Sequence, residues 1–175
     1  MSRNVAFDDC WFFLLLLSAL CSPACDQNAP QVLGGPADKI LIQKSAHTMT
    51  LSKGNMVLKT YKVAIGRGGS APKTRAGDHK TPEGDYRVDI KKNASRFHRA
   101  LHISYPNEAD LERARRLGVN PGGDIEIHGI ENGLGWIGSL HRTFDWTDGC
   151  IAVTDQEIEE ILNLVPTGTR VEIRP

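Results

Sequence analysis

The sequence predicts a mainly β domain with short helices, and three observations carry that reading. Its 175 residues include 17 glycines and 9 prolines, so the chain turns often. Short segments of alternating polar and apolar residues dominate the chain after residue 38. Only two stretches carry helical start and stop signals. The size suits one domain, which would bury about 70% of the surface its unfolded chain exposes. With 21 basic and 21 acidic residues the formal charge is zero, which argues against a nucleic-acid binder. Hydrophobic residues at 40% exclude a disordered, collagenous or coiled-coil chain.

Taken in order, Trp11 to Leu20 is a 10-residue apolar run. A membrane-spanning helix needs about 17–25 such residues, whereas a secretory signal core needs fewer. Residues 1–25 therefore read as an export signal, with an uncleaved anchor as the minority reading. Ser22 and Ala24 place small residues before Cys25, which suits ordinary cleavage. The run Leu20-Cys21-Ser22-Pro23-Ala24-Cys25 equally suits a lipoprotein signal, lipidated at Cys25 or, less well, at Cys21. Residues 26–37 (DQNAPQVLGGPA) read as a linker, and the folded domain is expected over 38–175. The expected location is the cell envelope, exported to the periplasm, with membrane contact only through the signal or a lipid anchor.

Lys39 to Gln43 and Thr48 to Ser52 alternate as strands, and Lys53-Gly54-Asn55 turns into a third strand over Met56 to Ile65. Gly66 to Glu83 is a polar loop. Strands follow at Gly84 to Ile90 and Ala100 to Ser104. Asn107 caps a helix over Glu108 to Leu117, which Gly118 stops. Asp124 to His128 alternates again. Thr154 and Glu157 form a capping box for a helix whose Ile158, Ile161, Leu162 and Val165 share one face. Pro166-Thr167-Gly168 ends it, and Thr169 to Ile173 is the last strand.

The chemistry concentrates in residues 127–154. Cys10, Cys21 and Cys25 lie in or beside the signal, so Cys150 stands alone in the folded body. A lone thiol in an oxidising compartment is either buried as a small hydrophobe or used. A nucleophilic thiol needs a base or an electropositive setting, and His128 at a strand end is the candidate base. Gly149 leaves room beside the sulfur, and main-chain N–H groups around Cys150 offer oxyanion stabilisation. On spacing alone, His128 reads equally as a satisfied strand-end residue and His141 as an ordinary loop residue. A zinc site from His128, His141, Asp148 and Cys150 would need ligands at unusually long spacings. Neither a metal nor a cofactor is expected.

The motifs His128-Gly129 and Thr147-Asp148-Gly149-Cys150 resemble the catalytic signature of the YkuD-type L,D-transpeptidases. Thr81-Pro82-Glu83-Gly84 resembles that family's Thr-Pro-x-Gly segment, and Val63-Ala64-Ile65-Gly66 its preceding strand. The form of Asp145 to Thr154 is most similar to the YafK-like branch. The resemblance implies a β-sandwich-like domain and a peptidoglycan-modifying enzyme acting on stem peptides through a Cys150 thioester. It also implies resolution by an amine (transpeptidation) or by water (hydrolysis of a stem or of a protein–peptidoglycan link). A peptidoglycan-linked envelope protein is thus a further expected partner; an inert envelope-binding module is the remaining alternative. Cys150 is then nucleophile, His128 base and acid, Gly129 the carbonyl that orients the imidazole, and Gly149 part of the oxyanion approach. Thr147, Asp148, His141 and Trp146 are the expected substrate-side residues. Asp148 would accept a hydrogen bond from a histidine such as His141 or bind a substrate amine, and Trp136 and Trp146 would line a groove or pack in the core. The chain departs from the commonest family form, which has His where Asp148 stands and Arg or Asn where Ala152 stands.

Overall fold

The computed structural model describes residues 35–175. Eight strands form one sheet: β1 (Lys39–Gln43), β2 (Thr48–Lys53), β3 (Met56–Lys62), β4 (Gly84–Ser95), β5 (His98–Ile103), β6 (Glu126–His128), β7 (Ile151–Ala152) and β8 (Arg170–Arg174). Their order is β3-β2-β1-β8-β4-β5-β6-β7. The pairs β1–β8 and β6–β7 are parallel and the others antiparallel. The chain leaving β3 then returns to the far edge. Ala64 and Ala152 exchange main-chain hydrogen bonds at 2.8 and 3.0 Å, and the Arg67 N–H donates to the Thr147 carbonyl at 3.0 Å. The last strand thus has no open edge there, which removes a pairing hazard and fixes the segment before Cys150.

Two α-helices, α1 (Glu108–Leu117) and α2 (Asp155–Leu164), begin at capping boxes built on Asn107 and Thr154. Each cap satisfies main-chain donors that would otherwise lack partners, an effect worth about 1 kcal/mol. α2 lays Ile158 and Ile161 on β5 and β6, and both are fully buried with Leu101 and Ile127. Burial of each such side chain stabilises the fold by about 1.5–3 kcal/mol. Lys44, just after β1, is the unusual core member. Its ammonium donates to the carbonyls of Ser70, Ala71 and Thr81 and pairs with Glu83 at 2.7 Å, tying both legs of the 66–83 loop to the sheet.

Several boundaries differ from expectation. The third strand ends at Lys62, because Val63 turns to bond His47 and Ala64 joins β7. The fourth runs on to Ser95, since β4 leaves β8 and continues against β5 with two register shifts. β5 starts at His98, and β8 is displaced by one residue. β6 begins at Glu126 rather than Asp124, whose φ of +52° breaks the extended chain. Gly135–Thr143, unassigned from sequence, is a 3₁₀ segment interrupted at Gly138, and the two-residue β7 was also missed. The readings on residues 1–34 lie outside the described residues.

Candidate active site

β6 delivers His128 and the start of β7 delivers Cys150. The parallel register aligns Ile127 with Ile151 and His128 with Ala152. Continued by one residue, it sets Glu126 beside Cys150. Side chains alternate along a strand, so Glu126, His128, Cys150 and Ala152 project from one face. His128 and Cys150 are then one strand apart and two residues along, about 8 Å between Cα atoms. The imidazole and the thiol are thus set on neighbouring segments of one face.

The histidine is held in one orientation. Its Nδ1–H donates to the Gly129 carbonyl at 2.6 Å; a carbonyl can only accept, so the neutral ring carries its lone pair on Nε2. Phe97, from the β4–β5 turn, stacks on the ring at 4.4 Å between centroids, and Trp146 meets it edge-on at 5.8 Å. With 2% of the residue exposed, burial pushes the His128 pKa below the ordinary histidine value. Gly129 has no room for a side chain: a Cβ would lie 2.6 Å from the Asp155 carboxylate, which accepts from the Ile130 N–H and clamps this turn to α2.

Thr147 shapes the cysteine loop. Buried, it donates its hydroxyl to the Cys150 carbonyl at 2.7 Å and accepts from the Gly149 N–H at 3.2 Å. Gly149 adopts φ +126°, and a Cβ there would sit 2.7 Å from the Lys80 carbonyl. Its small size therefore serves the packing of the 66–83 loop as well as space by the sulfur. Cys150 Sγ lies 3.5 Å from the Asp124 carbonyl. Burial, then the nearby carboxylates of Glu126, Asp148 and Asp124, push the thiol up to about 11, against a main-chain N–H of Glu126 that favours thiolate. The setting is thus electronegative, and at neutral pH the sulfur holds its proton.

Of the remaining candidates, Asp148 joins the 66–83 loop, while His141 and Trp146 sit together, Trp146 against His128. Asp148 is exposed and pairs with Arg67 at 2.9 Å and His79 at 2.8 Å, so its histidine partner is His79, not His141. His141 is buried in the 3₁₀ segment, where Nδ1 accepts from the Trp146 indole N–H at 3.3 Å. Trp146 lines an apolar cavity of about 240 Å³ with Ile130, Leu134, Ile137, Leu140 and Phe144. Trp136 is 82% exposed, in neither the core nor that lining. His128, His141, Asp148 and Cys150 do not gather into a metal-holding group among the described residues. Arg67, His79, Phe97 and Glu126 went unassigned from sequence. His79 alone had a signal, since it stands two residues before the Thr-Pro-x-Gly segment.

A profile of the YkuD family, the L,D-transpeptidase catalytic domain, matches residues 37–173. YafK of Escherichia coli (strain K12), provisionally named an L,D-transpeptidase, is 32% identical over 168 residues, 93% of this chain and 60% of that protein. YqjB of Bacillus subtilis (strain 168), named likewise, is 26% identical over 163 residues, 93% of this chain and 84% of that one. The present chain therefore spans about three-fifths of the length of YafK. Among solved structures, the helical cell shape determining protein Pgp2 from Campylobacter jejuni superposes with a TM-score of 0.60 at 23% identity, covering 79% of this chain and 48% of that one. An L,D-transpeptidase from Mycobacterium smegmatis gives 0.53 at 15% identity, over 79% and 59%. Both share the fold.

Proposed function

Because the chain belongs to the L,D-transpeptidase catalytic domain family, we propose that it is a cysteine acyltransferase acting on peptidoglycan stem peptides, with Cys150 as nucleophile. The observation that carries this reading is the register that sets Cys150 and His128 on neighbouring segments of one sheet face, with the imidazole Nδ1 donating to the Gly129 carbonyl and its lone pair on Nε2. The sulfur is protonated at rest, so the attack is general-base catalysed. As Sγ adds to the carbonyl at an L-to-D junction of the stem, its proton passes to His128 Nε2. Main-chain N–H groups beside Cys150 stabilise the oxyanion. The C–N bond then breaks, and His128 gives the proton to the leaving amine. An acceptor amine resolves the thioester to a new amide.

Hydrolysis is the second reading, and one observation favours it. Ala152 is fully buried in its bridge with Ala64, so no polar side chain reaches the site from the place where the common family form carries Arg or Asn. With no such group to hold an acceptor's carboxylate, water competes better. A protein joined to peptidoglycan would offer the same kind of amide. For either reaction the proposal includes an exported, periplasmic location, with Cys25 either lipidated or preceded by an ordinary cleavage site.

Incubation with purified muropeptides and mass analysis of products and enzyme tests the proposal. The expected result is an acyl adduct on Cys150 together with crosslinked or exchanged stems; shortened stems alone would assign hydrolysis. Cys150→Ala should lose both adduct and product while melting normally, and His128→Gln should form the adduct about 10²–10⁴-fold more slowly. Product formation by Cys150→Ala at the wild-type rate would refute the nucleophile.

A further inference from the structure

A second histidine stands on the nucleophile's face, and the sheet is distorted around it. His102 of β5 lies directly opposite Glu126 of β6, which itself aligns with Cys150. The row His102–Glu126–Cys150 thus crosses three strands, with about 9–10 Å between the outer Cα atoms. The β4–β5 register shifts between Val88 and Ile90, so Asp89 is the extra residue of a β-bulge. Bulges re-aim side chains, and here the Asp89 carboxylate meets His102 Nδ1 at 2.6 Å. A carboxylate accepts, so in the neutral ring Nε2 again carries the lone pair. That nitrogen lies 3.9 Å from the carboxylate of Asp124, whose own carbonyl accepts from the Cys150 thiol.

The two histidines are built alike and exposed differently. Each has Nδ1 fixed by an oxygen and Nε2 free, but His128 is roofed by Phe97 and Trp146, whereas the His102 side chain is 15% exposed at the open side of the row. The charged groups facing His102 are Asp89 from β4, and Asp124 and Glu126 from the chain entering β6. Lys92 from β4 neutralises Glu126 at 2.5 Å.

We propose that the Asp89–His102 pair is a second acid–base device of this site, receiving the proton of the acyl acceptor when the thioester is resolved. The inference rests on the Cys150 thioester reading above. In the step, the acceptor nitrogen, or a water oxygen, bonds to the thioester carbonyl carbon and the C–S bond breaks. The acceptor's proton moves to His102 Nε2, and the sulfur leaves as thiolate. His102 then releases its proton to solvent and the thiolate regains one. Asp89 stabilises the imidazolium formed in between, as a positioning residue. His128 serves the donor side and His102 the acceptor side.

The experiment follows acyl-enzyme formation and decay by intact mass, using a muropeptide donor first without and then with excess free D-amino acid. His102→Gln should acylate within about threefold of the wild-type rate and deacylate about 10²–10³-fold more slowly, so the adduct accumulates. The pH profile of deacylation should lose its acidic limb, while that of acylation should not. Asp89→Asn, which keeps size and fold, should slow the same step by a smaller factor. An adduct that decays at the wild-type rate in His102→Gln overturns the inference and leaves the thioester reading standing. A parallel fall of both steps with a lowered melting temperature assigns His102 a structural role and also overturns it. No adduct on the wild-type chain refutes the thioester itself.

Discussion

Acid should destabilise this domain through His141, and replacing that histidine should relieve much of the effect. His141 is 5% exposed, and its two ring nitrogens contact the Trp146 indole and the Arg142 guanidinium. Burial, reinforced by the Arg142 charge, pushes its pKa down to about 4. The unfolded chain has the ordinary histidine value of about 6.5, so below that pH the unfolded state binds the proton more readily than the folded one. Stability is therefore lost as pH falls from about 6.5 and levels off below about 4. A shift of about 2.5 units is worth about 3 kcal/mol in all, of which about 2 kcal/mol should be gone by about pH 4.5. Glutamine at this position is uncharged at every pH and offers an amide oxygen to the Trp146 N–H. Urea unfolding of the wild type and His141→Gln, at about pH 7 and about pH 4.5, measures the effect directly. The wild type should lose about 2 kcal/mol more than the variant between the two conditions; other titrating groups cancel in the comparison. Equal losses in the two proteins would refute the argument, because His141 would then titrate normally in the fold.

Lys44→Met should cost about 3–5 kcal/mol in urea unfolding, since it strands the Glu83 carboxylate and three carbonyls that the ammonium now satisfies. A loss under about 1 kcal/mol would mean that the 66–83 loop re-pairs on its own. Phe97→Ala should admit water to the imidazole and move the His128 titration, followed by NMR, up toward about 6.5. An unmoved titration would show that the stacked ring contributes nothing to the desolvation. In the absence of donor, iodoacetamide labelling of Cys150 should keep accelerating with pH up to about 11, and a plateau near neutrality would contradict the electronegative setting.

The parts of the fold legible in the sequence are those decided by neighbours along the chain. α1 falls at its expected bounds and α2 starts where expected, because Asn107, Thr154 and Glu157 act on main-chain donors within one turn and Gly118 supplies the left-handed residue, φ +66°, that ends α1; α2 stops at Leu164, so Val165, expected on its apolar face, is extended instead. β1 likewise follows its alternation to both ends. What escaped depends on register between distant segments. The bulge that turns Asp89 toward His102 exists only relative to β5, and nothing local in Val88 to Ile90 marks it. The β7 pairing needs Ala64, 88 residues earlier, and two residues are too few to show a period. The 3₁₀ segment has no 3.6-residue pattern to detect and is interrupted at Gly138. At the site, the motifs singled out His128 and Cys150, which the register sets on neighbouring segments, yet the Asp148 partner came out as His79 because the 66–83 loop folds back under Gly149.

The electrostatics of the pair bear on how the chemistry starts. A cysteine protease of the thiolate–imidazolium kind stores charge separation at rest, which requires a thiol pKa lowered by a cationic partner. Here burial opposes charge on both groups: His128 is shifted down and Cys150 up. The three carboxylates near the sulfur oppose thiolate further, so the resting pair is neutral thiol and neutral imidazole. On the proposed mechanism, charge then develops only as the sulfur bonds to a carbonyl, when the oxyanion rather than the thiolate carries it and main-chain N–H groups can meet it. A donor substrate that displaces water and brings its carbonyl to Sγ supplies what the free site lacks. Two consequences follow from the same geometry. Small electrophiles and oxidants, which react with thiolate, find little of it at neutral pH. And an amine acceptor, cationic before it reacts, is drawn to the largely exposed Asp124 carboxylate, on the side of the sulfur where His102 stands.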